Sequence, residues 1–177
     1  MDSWAFIVGF IMIFILVAIG AIIFSKRSGE GKKYDERQQL LRGQAYKAAF
    51  WVLVAYMCAN GLFVFGTDIV WADAMTSAFI GICIAATVFV VLCISRDAYF
   101  AINQKPGFYC RLFCALTLIN LTIGIVNLLD TDRPLFADGM LSFRSMNFVV
   151  VGMFIAILTA IAVRHFRAKA GSGAEES

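Results

Sequence analysis

The sequence has little charge for its size, and its charges are unevenly placed. Only 15% of its 177 residues are Asp, Glu, Lys or Arg, whereas 61% are hydrophobic. Soluble globular domains are nearer a quarter charged. The charges stand in short islands between apolar runs of about twenty residues, the length that a helix needs to cross a hydrocarbon core. Because backbone groups cannot stay unpaired in lipid and the runs are too long for barrel strands, the sequence predicts membrane-spanning helices.

Ionisable residues are missing from the middle of these runs. No Asp, Glu, Lys, Arg or His lies clearly within a predicted hydrocarbon core. Such residues usually mark proton pathways and intramembrane sites, so their absence argues against a proton-coupled transporter or an intramembrane hydrolase. We expect no catalytic residue, no cofactor and no nucleic-acid partner.

The five cysteines form no Cys-x-x-Cys pair, and the only histidine, His165, follows the last apolar run. No cysteine falls in a predicted external loop, so no disulfide framework is implied. Cys93, Cys110 and Cys114 flank one helical turnaround and could form a soft-metal or redox site. We instead expect them to be small apolar fillers, with no bound metal.

What the sequence does contain is five candidate spans. They lie near residues 4–24, 48–66, 75–95, 112–129 and 141–163. The first is too long for a signal peptide and lacks a basic start, so we expect it to be retained. The last is short from Phe148 onward and is predicted to begin about two turns earlier, near Met140. The predicted fold class is therefore an all-α bundle in a single domain of residues 1–170.

Lysine and arginine set the expected orientation. Thirteen of the fifteen fall in the first loop, the third loop and the tail, and only Arg133 and Arg144 fall elsewhere. The positive-inside rule then places the N-terminus outside, and an odd number of spans places the C-terminus in the cytoplasm. The polar tail from Arg164 is predicted to be disordered, with residues 171–177 outside the domain.

Two spans are predicted to continue as helices into the cytoplasm. Asp35 and Glu36 suit the first turn of a helix that runs unbroken into the second span. The third span is expected to continue through the string RDAYFAIN until Lys105-Pro106-Gly107 breaks it. The basic residues could simply set topology at the headgroups. Alternatively, the extensions form a docking surface for each other or for a partner, made of Asp35, Glu36, Arg37, Arg42 and Asp97. In that arrangement Arg37 or Arg42 is predicted to form an ion pair with Asp97.

Polar residues inside the spans are few. Asn60 lies in the second span, and one face of the fourth carries Thr117, Asn120, Gly124 and Asn127. This face could line a small cavity, or it could form hydrogen bonds between helices. We expect Asn60 to bond with Asn120 or Asn127, because all three lie at similar depths.

Small residues repeat at every fourth position in two spans. The third span has Ser77, Gly81 and Ala85, and the fifth has Gly152, Ala156 and Ala160. Such ridges let helix backbones approach closely and therefore indicate packing faces. Whether they close the monomer or form a homo-oligomer stays open.

The strings YDERQQLLRGQAYKAAF, RDAYFAIN and LSFRSMNFVVVGMF carry a resemblance. Between Tyr34 and about Phe154 the chain resembles a group of small multi-span membrane proteins of Gram-positive bacteria that share a cytoplasmic DERQ-type motif. The resemblance implies a bacterial inner membrane and supplies no activity and no site.

The expected function is non-enzymatic. We expect a multi-pass protein, surrounded by membrane lipids, that binds a partner protein or lipid through its cytoplasmic helical extensions. The alternative is a small-solute channel or transporter that works as an oligomer and uses the asparagine-lined face, and an enzyme is the third choice.

Overall fold

The computed structural model describes residues 34–100, 106–130, 134–137 and 139–173, together with Ile15 and Ile19. The predicted first span, residues 4–24, therefore lies outside the described residues apart from these two isoleucines. The chain divides into two units, Met1–Tyr34 with Ala101–Asn103 and Asp35–Phe100 with Gln104–Ser177. The bundle described below belongs to the second unit.

Helix α1, Glu36–Thr67, is the predicted unbroken helix that joins a polar extension to the second span. The Asp35 side chain accepts a hydrogen bond from the Gln38 backbone N–H, which satisfies a donor that the first turn would otherwise leave unpaired. Asp68 ends the helix in the left-handed region with φ 55°. The prediction of a continuous extension is confirmed.

Helix α2, Ala74–Ser95, corresponds to the third predicted span. Its first turn is capped by Asp73, whose carboxylate accepts bonds from the Thr76 backbone N–H at 2.8 Å and the Thr76 hydroxyl at 2.6 Å. These bonds hold the pKa of Asp73 below its usual value. The cap therefore adds stability at neutral pH that is lost as the pH falls through the lowered pKa.

The predicted helical continuation of this span is wrong. Helix α2 ends at Ser95, and Asp97 takes the left-handed conformation with φ 59°. The N–H of Ala98 donates to the Cys93 carbonyl and that of Asp97 to the Ile94 carbonyl, the pattern of a Schellman motif. The chain thus turns at residues 96–100, about ten residues before the proline that was expected to stop it.

Helices α3, Pro106–Leu129, and α4, Met146–Gly173, complete the bundle. Proline at the first position of α3 is favourable, because its missing N–H would have no helical partner there. Helix α4 continues through Gly173, so the prediction of a disordered tail from Arg164 is wrong for the described part. Residues 174–177 lie outside the described residues.

The start of the last span is also corrected. Residues near Met140 form a short hairpin in which β1, Phe136–Ala137, pairs antiparallel with β2, Met140–Leu141. Gly139 has φ 78° in the turn between the two strands. A 3₁₀ turn, Phe143–Ser145, then leads into α4. Backbone bonds from Leu141 to Trp71 and from Asp73 to Leu141 hold this segment extended.

The helices pack in the order α1, α2, α4, α3. Their alternating directions give the bundle two distinct ends. The basic end contains the start of α1, the 96–100 turn, the start of α3 and the last turns of α4. The hairpin end contains the loop before α2 and the segment from β1 to the 3₁₀ turn. The main buried core lies next to the basic end and consists of Ile94, Phe100, Phe113, Ile157 and Ile161.

Candidate functional site

The first turns of α1 are fixed to the 96–100 turn by side chains that reach backbone carbonyls. The Gln38 amide donates to the carbonyls of Asp97 at 2.9 Å and Phe100 at 3.2 Å. The Arg42 guanidinium donates to the Ala98 carbonyl at 3.3 Å and lies over the Phe89 ring. A turn that leaves its helix exposes carbonyl groups, and these two side chains satisfy several of them.

The start of α1 therefore contacts the segment around Asp97 as predicted, although that segment is a turn and not a helix, and the predicted ion pair is wrong. Asp97 pairs with Arg164 of α4 instead of Arg37 or Arg42. Arg164 also lies over the Phe100 ring, with its guanidinium carbon 5.6 Å from the ring centroid. Arg164 was not among the predicted site residues, because the tail was predicted to be disordered. The sequence did contain a signal for this contact, because Arg164 directly follows the last span and is therefore expected at the same depth as Asp97.

The five predicted partner-binding residues thus separate into two groups. Asp35 caps α1, Arg42 holds the turn, and Asp97 joins α2 to α4. Glu36 and Arg37 face outward and are exposed. Leu40, one turn further along the same face, is 65% exposed. We call Glu36, Arg37 and Leu40 the α1 outer face.

A groove of about 1100 Å³ runs along α4 at the basic end. Its wall includes Val91 of α2 and the small residues Ala156 and Ala160 of α4. Its mouth is lined by Asp97, Arg164, His165 and Arg167. The fifth-span ridge therefore borders open space in the described part of the chain. Gly152, at the start of that ridge, is exposed, and an added Cβ there would contact nothing within 4 Å.

The third-span ridge, in contrast, is a packing face as predicted. Ser77, Gly81 and Ala85 are all buried. The Tyr56 ring of α1 lies against Gly81, and its hydroxyl donates to the Ser77 carbonyl at 2.8 Å. A side chain at position 81 would occupy the space of this ring.

The polar face of α3 is used for packing at the hairpin end. Thr117 and Asn120 donate to carbonyls of their own helix. Asn127 donates to the Arg144 carbonyl and accepts from the Arg144 guanidinium, each at 3.2 Å. Arg144 also pairs with Asp130 at 2.7 Å. Gly124, between these groups, is buried against the Phe148 ring of α4. Asn127 therefore bonds outside its own helix, as the packing interpretation predicted, whereas Thr117 and Asn120 bond within α3.

The predicted bond between Asn60 and the fourth-span asparagines is wrong. Asn60 accepts a hydrogen bond from the Trp71 indole N–H at 2.7 Å. The helix order places α2 and α4 between α1 and α3, which separates the asparagines. Trp71 could have indicated this bond from the sequence, since a half-buried indole N–H usually finds an acceptor.

All five cysteines are free. Cys93 is buried, Cys110 is half-buried next to the core, and Cys114 is exposed. Across the described residues, no three His, Cys, Asp or Glu side chains are grouped so that they could hold a metal ion.

The length and the apolar surface of the helices are typical of a multi-pass membrane protein. The described residues contain four helices long and apolar enough to cross a membrane. Bulky apolar side chains are exposed along them, among them Leu62 at 71%, Phe65 at 86% and Leu129 at 74%. An all-helical bundle with such a surface is suited to lipid contact. Neither protein-family models nor curated proteins nor solved structures gave a match to this chain.

Proposed function

We propose that the chain is a five-span protein of a bacterial inner membrane, with its basic end in the cytoplasm. Among the described residues, every Lys and Arg except Arg144 lies at the basic end, including Arg37, Lys47, Arg111 and Arg167. Basic residues flanking spans are retained on the cytoplasmic side. A retained first span would then place the N-terminus outside.

Reporter fusions test this topology. Fusions at Lys32, Lys105 and the C-terminus are expected to report a cytoplasmic location, and fusions at Asp73 and Asp138 an external one. The reason is the concentration of basic residues in the same loops and tail. A cytoplasmic signal at Asp138 would contradict the proposed arrangement.

We further propose a non-enzymatic function, in which the α1 outer face binds a cytoplasmic protein. The observation that carries this proposal is the exposed Leu40 between charged residues on a rigidly held helix. The second span is predicted to begin at residue 48, so Leu40 lies eight residues, or about 12 Å of helix, before it. At that height it faces water, and a fixed apolar side chain with a charged rim is typical of a protein interface.

The charges on this face also favour a protein partner. Glu36 and Arg37 carry opposite charges side by side, so the face has no strong field of one sign. Nucleic acids are bound through basic patches that neutralise phosphates, whereas mixed charge around an apolar centre fits another protein surface. The alternative of a solute channel has less support, because the polar groups of α3 are bonded within the bundle.

Exchanging the charges as Glu36→Lys with Arg37→Glu is expected to reduce partner recovery about tenfold, the effect of losing about 1.4 kcal/mol of binding free energy. The measurement is photo-crosslinking in the native membrane from a benzophenone amino acid at Leu40, followed by purification and identification of the adduct. The double variant keeps the net charge and touches no buried side chain, so its thermal unfolding in mild detergent should be unchanged.

Two matched controls sharpen this experiment. The same photo-crosslinker at Phe108, which is 59% exposed at the start of α3, should not give the adduct. Reversing charge at the exposed Arg111 should leave the Leu40 adduct intact. If the charge-exchanged variant retains the full adduct, or if Phe108 gives the same product, the α1 outer face is not the binding surface.

A further inference from the structure

The groove along α4 combines an apolar wall with a cationic mouth. Ala156, Ala160, Arg164 and Arg167 follow one another at spacings of four, four and three residues and so share a helix face. The face changes from small apolar to basic over about 16 Å of helix. Val91 of α2 lies opposite the alanines, and Asp97 lies at the mouth.

The charges at the mouth do not cancel. Among the residues that the structure describes, Asp97 is the only carboxylate that lines the groove, and it is engaged by the Nε–H group of Arg164. That contact and the Phe100 ring hold the Arg164 guanidinium in place. Arg167 and His165 are exposed and form no ion pair with a described carboxylate. The mouth therefore has an excess of positive charge, and the channel behind it is apolar.

We propose that this groove binds an anionic phospholipid of the leaflet at the basic end. The headgroup phosphate lies between Arg164 and Arg167, and one acyl chain lies along the wall formed by Val91, Ala156 and Ala160. Arginine forms charge-assisted bonds with phosphate oxygens, and basic pockets between membrane helices are suited to anionic headgroups. The small side chains of the wall leave the width that an acyl chain needs. This site is separate from the α1 outer face and does not depend on a protein partner.

The test is native mass spectrometry of the full chain in mild detergent, titrated with phosphatidylglycerol or phosphatidylcholine. Phosphatidylglycerol is expected to bind at least fivefold more tightly. Arg167→Gln is expected to remove about fivefold of its affinity, the ratio that corresponds to about 1 kcal/mol per basic residue. Ala160→Leu, which narrows the channel, is expected to weaken both lipids. Arg111→Gln and Ala162→Leu are the matched controls, since neither residue lines the groove.

Each other outcome overturns the proposal. Equal affinity for the two lipids would show that the cationic mouth does not select an anionic headgroup. Equal losses in Arg111→Gln and Arg167→Gln would indicate general attraction to a basic surface. If Ala160→Leu changes oligomeric state, or if it alters thermal unfolding without changing lipid affinity, the groove holds a second copy or another segment of the chain. Because Arg167 is exposed, its variant remains informative even if Ala160→Leu does not fold.

Discussion

Replacing Gly81 with leucine is expected to separate α1 from α2 and to destabilise the bundle by about 2 to 3 kcal/mol. A Cβ atom at this position would lie 2.5 Å from Cδ1 and 2.7 Å from Cε1 of the Tyr56 ring. A rigid ring cannot yield by rotating a terminal bond, so it must move away. Overpacking of this kind typically costs about 1 to 3 kcal/mol, and the displaced Tyr56 hydroxyl would also lose its bond to the Ser77 carbonyl.

Denaturant unfolding of the purified protein in mild detergent measures this effect. Gly61→Leu is the matched control, because Gly61 lies in α1 with nothing within 4 Å of an added Cβ. It should leave stability unchanged or raise it by up to about 1 kcal/mol, because leucine favours a helix more than glycine does. Combining Gly81→Leu with Tyr56→Ala should recover part of the loss, since the smaller side chain makes room. Equal effects at positions 61 and 81 would contradict the packing described here.

Replacing Arg144 with alanine is expected to loosen the hairpin end and to cost about 1 to 2 kcal/mol of stability. The guanidinium joins the turn that precedes α4 to Asn127 of α3 and to Asp130, the residue after that helix. Bonds to charged groups are worth about 1.5 to 3 kcal/mol when buried. These side chains are about a third exposed, at 28% for Arg144 and 34% for Asp130, so water and salt screen part of that value.

Arg144→Lys is the control for charge alone. Lysine can still pair with Asp130, but it lacks the planar fork that reaches Asn127 as well, so it should recover only part of the stability. The double variant with Asp130→Asn should lose less than the sum of the single losses. Strictly additive losses in denaturant unfolding would show that Arg144 and Asp130 do not act as a pair.

These two positions differ in how far the sequence predicted their role. Small residues at every fourth position, Ser77, Gly81 and Ala85, predicted a close approach of helices, and the structure has this approach. The repeat could not name Tyr56 as the partner, because small residues show that space is left and not what fills it. The sequence separated Arg144 from most other basic residues, but its pairing with Asp130 depends on a hairpin that replaces the expected helical start.

At the basic end, too, the sequence predicted some features and the tertiary structure decided others. The sequence determined that Asp35 begins a helix and that the helix runs unbroken into the apolar span, because capping and the lack of a breaker act within a few residues. It also predicted the four described helices that are long and apolar enough to cross a membrane, since apolar runs of this length have few other uses. The concentration of Lys and Arg at one end was also predictable, because these residues lie in the first loop, the third loop and the tail, which alternating spans bring to the same side.

Only the tertiary structure decided where α2 stops. The string RDAY contains no glycine or proline, and a left-handed aspartate costs about 1 to 2 kcal/mol of backbone strain. Gln38, Arg42 and Arg164 come from other helices and hold the turn at Asp97 through its carbonyls and carboxylate. Contacts between residues about 60 positions apart thus outweigh a local preference for helix. Because such contacts exist only once the helices have packed, the α1 outer face and the groove along α4 could not be placed from the sequence.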